Sequence, residues 1–209
     1  PIHDAGSKAA GRAVYAGDME LKGMLYMALL FSTIPHGIVK HLDCSKALAL
    51  PGVVDVIHCF NTTEKEYNQY QTQFGQDLVH TARIFNSHVR YVGDRIAGVI
   101  AETEAIARKA VSLIEVEYEE MAYSLDMFDT LTGKIDGIHE TGAVFEGGEH
   151  VTGTKPEGEG LVEIHTATDL SRINHICMET HACVADYDRY GDELTVYSPN
   201  QTVYGIRTI

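Results

Sequence analysis

The stretch VRYVGDRIAGVIAETEAIARKAVSLIEVEYE, residues 89–119, decides the fold of this chain. Its first part, Val89–Ala101, predicts a pair of strands or one bent strand. Gly93-Asp94 is the expected bend, because this dipeptide is typical of turns. The residues that follow are rich in alanine and charged side chains, which favour a helix. The stretch therefore predicts strand structure followed by a helix.

That helix has a recognisable start. The Thr103 side chain can accept a hydrogen bond from the first helical turn, so we expect the helix over Glu104–Ser112. It would bury its small apolar residues, which are Ala107, Ala110 and Val111. From Ile114 to Glu119 apolar and acidic residues alternate strictly, which is the pattern of a half-exposed strand. The order of elements is thus strand, helix and strand.

The preceding residues continue this mixture of elements. Strands are predicted at three places: Gly23–Ser32, Ile38–Asp43 and Val53–Phe60. For the first of these, periodicity alone leaves a buried helix open. Cys44–Leu50 favours a helix that Pro51-Gly52 ends. Residues 11–120 therefore predict an α+β domain.

Two regions interrupt these elements. Thr63 and Glu66 have capping-box spacing, which predicts a helix start at Asn61–Glu66, and Tyr67–Asp77 is polar and predicts a loop. Tyr123–Gly160 is rich in glycine and has little apolar periodicity, which predicts a linker and a domain boundary.

Strands are predicted again after this linker. They are Leu161–Ala167, Ile176–Tyr187 and Glu193–Ser198. Tyr190-Gly191-Asp192 is expected to form the turn of a hairpin between the last two.

The composition limits the classes of partner. The net charge is −14, from 16 basic and 30 acidic side chains. Binding to nucleic acid or to an anionic membrane surface needs clustered basic residues, so the acidic composition argues against both as partners. No apolar run approaches the roughly 20 residues of a membrane span. The chain has only four cysteines and no CxxC motif, and so few cysteines in a chain of this size indicate a reducing, cytoplasmic compartment.

One short segment combines several residue types that ligate metals. In His175-Ile-Cys-Met-Glu-Thr-His-Ala-Cys183, a strand would place its histidines, cysteines and glutamate on one face. Same-face neighbours on a strand lie about 6.5–7 Å apart. At most two of them could therefore bind one zinc ion, and the sequence shows no second ligand cluster. A buried polar strand face is the alternative, and we assign no metal ligand.

Gln201 is the candidate binding residue that the pattern offers. It follows a predicted strand, where its amide can donate a hydrogen bond into a cleft, although a solvent-facing turn residue is an open alternative. Neither a glycine-rich phosphate loop nor a GxSxG nucleophile motif occurs.

Several motifs together resemble the xanthine dehydrogenase and aldehyde oxidase family. The motifs are Gly11-Arg-Ala-Val-Tyr15-Ala-Gly-Asp18, Ala47…Pro51-Gly-Val-Val-Asp-Val-Ile57, Tyr91-Val-Gly-Asp-Arg-Ile-Ala-Gly-Val-Ile-Ala101 and His175…Met178-Glu-Thr-His181…Gln201. The resemblance covers nearly the whole chain. It implies a hammerhead-like α+β domain at residues 1–122, a linker at 123–160, and the incomplete start of a molybdopterin-binding domain at 161–209.

The resemblance also implies a function. The parent protein would be a molybdenum hydroxylase that inserts water-derived oxygen into an N-heterocycle or aldehyde, with purine catabolism as one setting. Its cofactor would be molybdopterin with molybdenum, and iron–sulfur clusters and FAD would lie on other domains or subunits. By the resemblance, Gln201 would contact an oxygen ligand of molybdenum. No catalytic residue falls in this chain, because the family's glutamate base is expected beyond Ile209.

Three hypotheses follow from these observations. In the first, residues 1–209 are an inactive fragment of such an oxidoreductase, and its unpaired strand edges lead to an oligomer. In the second, the chain is a stand-alone structural or subunit-docking module. In the third, it is an acidic binding domain with zinc at residues 175–183. The substrate and the electron acceptor remain open.

Overall fold

The structure is a computed structural model. It describes residues 4–67, 81–135, 138–139, 142, 150–154, 156–162, 164–171 and 173–200. Most of the predicted loop Tyr67–Asp77 lies outside these residues, and so does Gln201. The described residues divide into two compact units. We call residues 20–145 the body unit, and residues 4–19 together with 146–199 the terminal unit.

The body unit contains two antiparallel three-stranded sheets. The first has the strand order β1 (Tyr26–Phe31), β5 (Arg95–Ala101), β3 (Val53–His58). The second has the order β4 (His88–Val89), β2 (Gly37–Asp43), β6 (Glu115–Glu120). The mixed α+β fold that the sequence predicts is confirmed.

In the described part of this unit, three helices accompany these sheets. They are α2 (Ser45–Leu48), α3 (Glu104–Val111) and α4 (Met127–Leu131), the last of which lies within the predicted linker. The predicted cap of α3 is confirmed, because the Thr103 hydroxyl oxygen accepts the N–H of Ile106 at 3.2 Å. Ala107 and Ala110 are fully buried, so α3 turns its smallest side chains to the sheet and can pack closely.

One hydrophobic core joins both sheets. Its buried members come from strands β2 to β5 and from helices α2 and α3, and they include Val39, Leu42, Ala47, Val56, Val89, Ile96, Val99 and Ala110. Residues 89 and 95 belong to different sheets, so the predicted strand pair is confirmed, and Gly93 supplies the bend with a φ of 98°. The stretch around this bend therefore links the two sheets through the core.

Glycine is required at the start of β2. A Cβ atom on Gly37 would lie 2.5 Å from the carbonyl oxygen of Glu119 on the neighbouring strand β6. No side chain can be accommodated at that separation from a backbone atom. This close approach lets β2 begin beside the end of β6, where a buried histidine precedes it.

The predicted helix start at Asn61–Glu66 is wrong. Residues 61–66 form a turn and irregular backbone. The Thr63 hydroxyl oxygen accepts the N–H of Lys65 at 3.2 Å, and the Asn61 carboxamide bonds to the backbone of His58 and Val56. Short polar side chains that bond to nearby backbone compete with helix formation, which explains why the capping-box spacing failed here.

The terminal unit has few regular elements. It contains helix α1 (Ala5–Ala9), a 3-10 turn at Ala16–Asp18 and the hairpin of β7 (Val184–Asp188) and β8 (Glu193–Tyr197). The predicted hairpin is confirmed, and it pairs Asp188 with Glu193 across the turn.

The predicted strand Leu161–Ala167 is wrong, and the predicted strand Ile176–Tyr187 is confirmed only from Val184 onward. The described residues of Leu161–Ala167 and residues 176–183 are not strands. Val162, Ile164 and Ile176 are 77–83% exposed, so these apolar residues contact no second layer that would fix them in a sheet. Apolar residues predict a strand only where a neighbouring strand or layer is present to bind it.

No helix within the described ranges is long and apolar enough to cross a lipid bilayer.

Candidate functional site

The hairpin β7–β8 is the element that leads to Gln201. Its four-residue turn is fixed locally, because the Tyr187 hydroxyl donates to the Asp192 carboxylate at 2.7 Å and the N–H of Tyr190 donates to the Asp188 carboxylate at 2.9 Å. Asp192 adopts a left-handed φ of 50°, which is tolerated by aspartate better than by most residues. The chain then continues from Tyr197 through Ser198-Pro199-Asn200. The role of Gln201 stays a prediction.

The structure does not bring the histidines and cysteines of residues 175–183 onto one strand face. Ile176 has a left-handed φ of 47°, and its N–H donates to the Asn174 side-chain oxygen at 3.1 Å. This turn interrupts the extended backbone on which the single-face arrangement depended. Cys177 and Cys183 are exposed. Across the described ranges of the chain, no group of three or more histidine, cysteine, aspartate or glutamate side chains is positioned to hold a metal ion.

A shallow, open cleft lies within the terminal unit. It has a volume of about 600 Å³ and is lined by α1, the segment around Tyr15, Glu179 and the end of β8 at Tyr197–Pro199. Beside the cleft, the 3-10 turn lies next to residues 180–182, since a Cβ atom on Gly17 would lie at van der Waals distance, 3.7 Å, from the Thr180 hydroxyl oxygen. The cleft therefore combines the N-terminal motif with the segment that precedes Gln201.

The charges in this cleft are mostly neutralised. The Lys8 ammonium lies 2.6 Å from the Asp4 carboxylate. This hydrogen bond raises the pKa of Lys8 and lowers the pKa of Asp4. Glu179 adds a second carboxylate to the lining. Two carboxylates and one ammonium leave the cleft slightly negative, so it does not suit a phosphate group.

The sequence did not reveal the buried polar residues of the body unit. Asp94 is 2% exposed, and its carboxylate accepts hydrogen bonds from the Asn86 side chain at 2.7 Å and from the N–H groups of Arg95 and Arg90 at 2.9 and 3.2 Å. The Gly93-Asp94 turn signal located this residue but not its burial. Three donors satisfy the buried carboxylate, which fixes the bend between the two sheets.

A second buried polar group is a pair of histidines. His36, which is 2% exposed, lies before β2, and His88 is in β4. Their rings are stacked with centroids 5.2 Å apart, and the two Nε2 atoms are 3.0 Å apart. Histidines spread singly through a sequence give no signal for such a pair, because the two residues are 52 positions apart in the chain.

Comparison with known proteins shows the family. Residues 10–122, more than half of the chain, match the sequence profile described as "Aldehyde oxidase and xanthine dehydrogenase, a/b hammerhead domain". The chain belongs to the aldehyde oxidase and xanthine dehydrogenase family. The two small antiparallel sheets with their helices are the hammerhead fold of this family.

Relatives extend this likeness beyond the hammerhead region. A probable hypoxanthine oxidase XdhD of Escherichia coli O157:H7 is 26% identical across 99% of this chain and 26% of its own length. The nicotinate dehydrogenase large molybdopterin subunit of Eubacterium barkeri is 30% identical across 96% of this chain and 46% of its own length. The chain thus spans about a quarter to a half of these relatives. Such relatives indicate a family of molybdenum hydroxylases.

A solved structure supports the same conclusion. The aldehyde oxidoreductase of Desulfovibrio gigas is 27% identical and superposes with a TM-score of 0.60, covering 67% of this chain and 16% of that protein. The hammerhead chain is therefore similar in sequence and in fold to a small part of much longer oxidoreductases.

Proposed function

We propose that this chain is part of a molybdenum hydroxylase that oxidises an N-heterocycle or an aldehyde with oxygen from water. The observation that carries the proposal is the match of residues 10–122 to the hammerhead domain of the family. The names of the relatives support molybdopterin as the cofactor of the parent protein, and purine catabolism is one setting for it. Molybdopterin with molybdenum would supply the two-electron redox chemistry of the hydroxylation.

The described residues fit this cofactor poorly by themselves. The cleft of the terminal unit is slightly negative, whereas the phosphate of a pterin cofactor needs donors or cations. The structure describes no metal-ligand cluster in these residues. We therefore derive no catalytic step here, and we propose that the 209-residue chain alone has a structural role and is inactive.

Gln201 is the residue that we propose for cofactor contact. The hairpin β7–β8 supports this proposal because it is a locally fixed element that ends at Tyr197, four residues before Gln201. A glutamine side chain can donate a hydrogen bond to an oxygen ligand of a metal. The family's base would then come from residues outside this chain.

The exposed apolar residues of the terminal unit support association with other protein. Leu170, Ile173 and Met178 are between 84% and 103% exposed. Burying such residues against further domains or a partner subunit would be favourable by about 1.5–3 kcal/mol for each large side chain. We propose that the iron–sulfur clusters and FAD lie on such domains or subunits, that the assembly is oligomeric, and that it acts in the cytoplasm on a small-molecule substrate.

The alternative of a stand-alone docking module is favoured by one specific observation. Met27, Leu29 and Phe31 on β1 are 37–49% exposed and share one face of the sheet. An exposed apolar stripe of this kind is typical of an interaction surface. In this alternative, the chain would bind a partner protein and carry no chemistry.

The deciding experiment measures the intact mass of the natural gene product, its molybdenum content and its hydroxylase activity. We expect a mass well above 23.0 kDa and stoichiometric molybdenum in the natural product, with neither molybdenum nor activity in the 209-residue chain supplied with molybdopterin. Activity of that chain alone would contradict the structural role. A natural product that ends at Ile209 would favour the docking module.

The natural product also tests Gln201. We expect Gln201→Ala to lower hydroxylase kcat about tenfold or more, because a hydrogen bond to a charged centre contributes roughly 1.5–3 kcal/mol. Thr195→Ala on the exposed face of β8 is the matched control, and we expect its activity to be unchanged. Equal activities of the two variants would contradict a contact between Gln201 and the cofactor.

A further inference from the structure

A loop that we call the arm follows strand β6 in the body unit and comprises the described residues within 121–139. Its first end is bound to His36, whose Nδ1 lies 2.7 Å from the carbonyl oxygen of Ala122. Its second end is bound to Arg90, whose side-chain N–H donates to the carbonyl oxygen of Ile138 at 3.0 Å. Both ends of the arm are therefore attached to the body unit by hydrogen bonds.

The two attachment points are neighbours on one pair of strands. Strands β2 and β4 pair Gly37 with Val89, and the next positions outward along this antiparallel register are His36 and Arg90. The backbone N–H of Arg90 also donates to the buried Asp94 carboxylate at 3.2 Å, which fixes this position at the bend between the sheets. Compact surface loops whose ends lie close together are frequently functional.

Helix α4, in the middle of the arm, directs its polar side towards the arm itself. The Asp129 carboxylate accepts the Ser124 hydroxyl at 2.8 Å and the Lys134 ammonium at 2.8 Å. The Asp126 carboxylate caps the helix by accepting the N–H of Phe128 at 2.9 Å. A helix of five residues is not stable in water by itself, so these local bonds hold its shape.

The other side of α4 is apolar and exposed. Met127, Phe128 and Leu131 have the i, i+1 and i+4 spacing that places them on one face of a helix, and they are 59–60% exposed. Leu125, just before the helix, is 88% exposed. A surface helix of a folded domain normally turns its apolar face to the core. The reversed arrangement in the arm leaves a contiguous apolar surface, which is typical of an interaction site.

The charges around this surface limit what can cover it. Glu120 at the root of the arm and Asp126 beside α4 are exposed and acidic, whereas Lys134 is paired with Asp129. A second copy of the chain would bring a further net charge of −14 to the contact, and an anionic membrane would repel the same carboxylates. A protein groove with basic side chains along its border is the complementary partner.

The length of the relatives indicates where such a groove can be found. The chain spans 26% of the length of the hypoxanthine oxidase XdhD to which it is similar, and the match to the hammerhead profile ends at Ala122, near the root of the arm. We propose that the arm is a docking element whose α4 face inserts into an apolar, basic-bordered groove of the same polypeptide, in the part of the parent protein outside these 209 residues. This proposal rests on the proposed function, which makes the chain part of a longer protein.

The fixed shape of the arm favours this docking. Binding is weakened by the cost of ordering mobile groups, and an element that already has its bound conformation avoids much of that cost. The bonds within the arm order α4, and the bonds at His36 and Arg90 hold its two ends. The apolar face is thus presented in one orientation before it is covered.

The first test places a photoreactive residue on the apolar face in the natural gene product. Phe128→p-benzoylphenylalanine keeps an aromatic side chain at this position, and mass spectrometry after irradiation identifies the peptide that it contacts. We expect a cross-link to a peptide of the same polypeptide outside residues 1–209, without an increase in mass on a denaturing gel. Lys109→p-benzoylphenylalanine, on the exposed side of α3, is the matched control, and we expect no such cross-link from it.

The other outcomes of this test overturn the proposal. They are a cross-link to a second copy, to a different subunit or to lipid, and the absence of any cross-link from position 128. The molybdenum content and hydroxylase activity of the same preparation test the proposed function separately. A molybdenum hydroxylase without the cross-link would keep its function and lose the docking element, whereas a cross-linked product without molybdenum would do the reverse.

A second test separates docking from a role in folding the arm. Phe128→Gln combined with Leu131→Gln removes the apolar face and keeps good helix-forming residues. In the natural product, we expect trypsin to cut after Lys134 at least about tenfold faster in the variant, because the burial of two large apolar side chains is lost. In the 209-residue chain, where these side chains are exposed, the two rates should agree within about threefold. Equal cleavage of the natural product and its variant would overturn the docking, and so would a tenfold difference already present in the 209-residue chain.

Discussion

Similar apolar strand residues are buried in the body unit and exposed in the terminal unit. In the body unit, Ile96 and Val99 of β5 are completely buried between neighbouring strands and a helix. In the terminal unit, Leu194 and Val196 of β8 are 60% and 51% exposed although they belong to a regular strand. The difference teaches that strand pairing and core formation are separable. A hairpin needs only its own turn and partner strand, whereas burial needs a second layer.

The contrast also bears on function. The body unit has its own core and a satisfied buried carboxylate. The terminal unit contains the cleft and the hairpin that precedes Gln201, but its large apolar side chains are exposed. We expect the part of the chain nearest to the proposed cofactor contact to depend most on protein beyond these 209 residues.

Core truncation is expected to give the largest difference between the units. Ile96 is 0% exposed, so Ile96→Ala should lower the free energy of unfolding by about 2–5 kcal/mol through lost burial and a residual cavity. Ile173 is 84% exposed, and Ile173→Ala should change that free energy by less than about 0.5 kcal/mol. Urea denaturation of the two variants measures both values. A similar loss for both would show that the terminal unit has a core of its own.

The second-largest difference between the units is expected in the reactivity of their cysteines. Burial raises the pKa of Cys59 to about 11, and burial also raises the pKa of Cys44. Because the thiolate is the reactive form, both should react slowly at pH 8. We expect iodoacetamide to label the exposed Cys177 and Cys183 at least about tenfold faster, as followed by mass spectrometry of the peptides.

Two controls sharpen this labelling experiment. Below its pKa, Cys59 should react about tenfold faster for each unit that the pH rises, since its thiolate fraction grows by that factor. In urea, the four cysteines should react at similar rates, because burial is lost. Rapid native labelling of Cys59 would contradict its place beside the core.

Removal of a helix cap is expected to give the smallest change in the free energy of unfolding. Thr103→Ala removes the acceptor for the N–H of Ile106 and should lower the free energy of unfolding by about 1 kcal/mol. Thr103→Ser keeps this acceptor and should retain most of the stability. Thr195→Ala in the terminal unit is the counterpart on an exposed strand, and thermal unfolding should not distinguish it from the parent chain.

The success of each prediction from the sequence depended on how far apart in the chain the interacting residues lie. The cap at Thr103, the turn at Gly93 and the hairpin turn at Tyr190–Asp192 depend on residues a few positions apart, and all three predictions are confirmed. The helix start at Thr63 was a local signal that failed, because nearby polar side chains bonded to the backbone instead. The strand predicted at Leu161 and the first part of the strand predicted at Ile176 failed because their apolar side chains are exposed and contact no second layer.

The sequence by itself determined the α+β class, the order of the hammerhead elements and the resemblance to the family, since periodicity, capping and turn residues act locally. Only the tertiary structure decided which polar groups are buried together. Asp94 meets Asn86 across the bend, and His36 meets His88 and Ala122, which are 52 and 86 positions away in the chain. Such contacts depend on how the sheets pack and on the close approach at Gly37, and no local pattern encodes them.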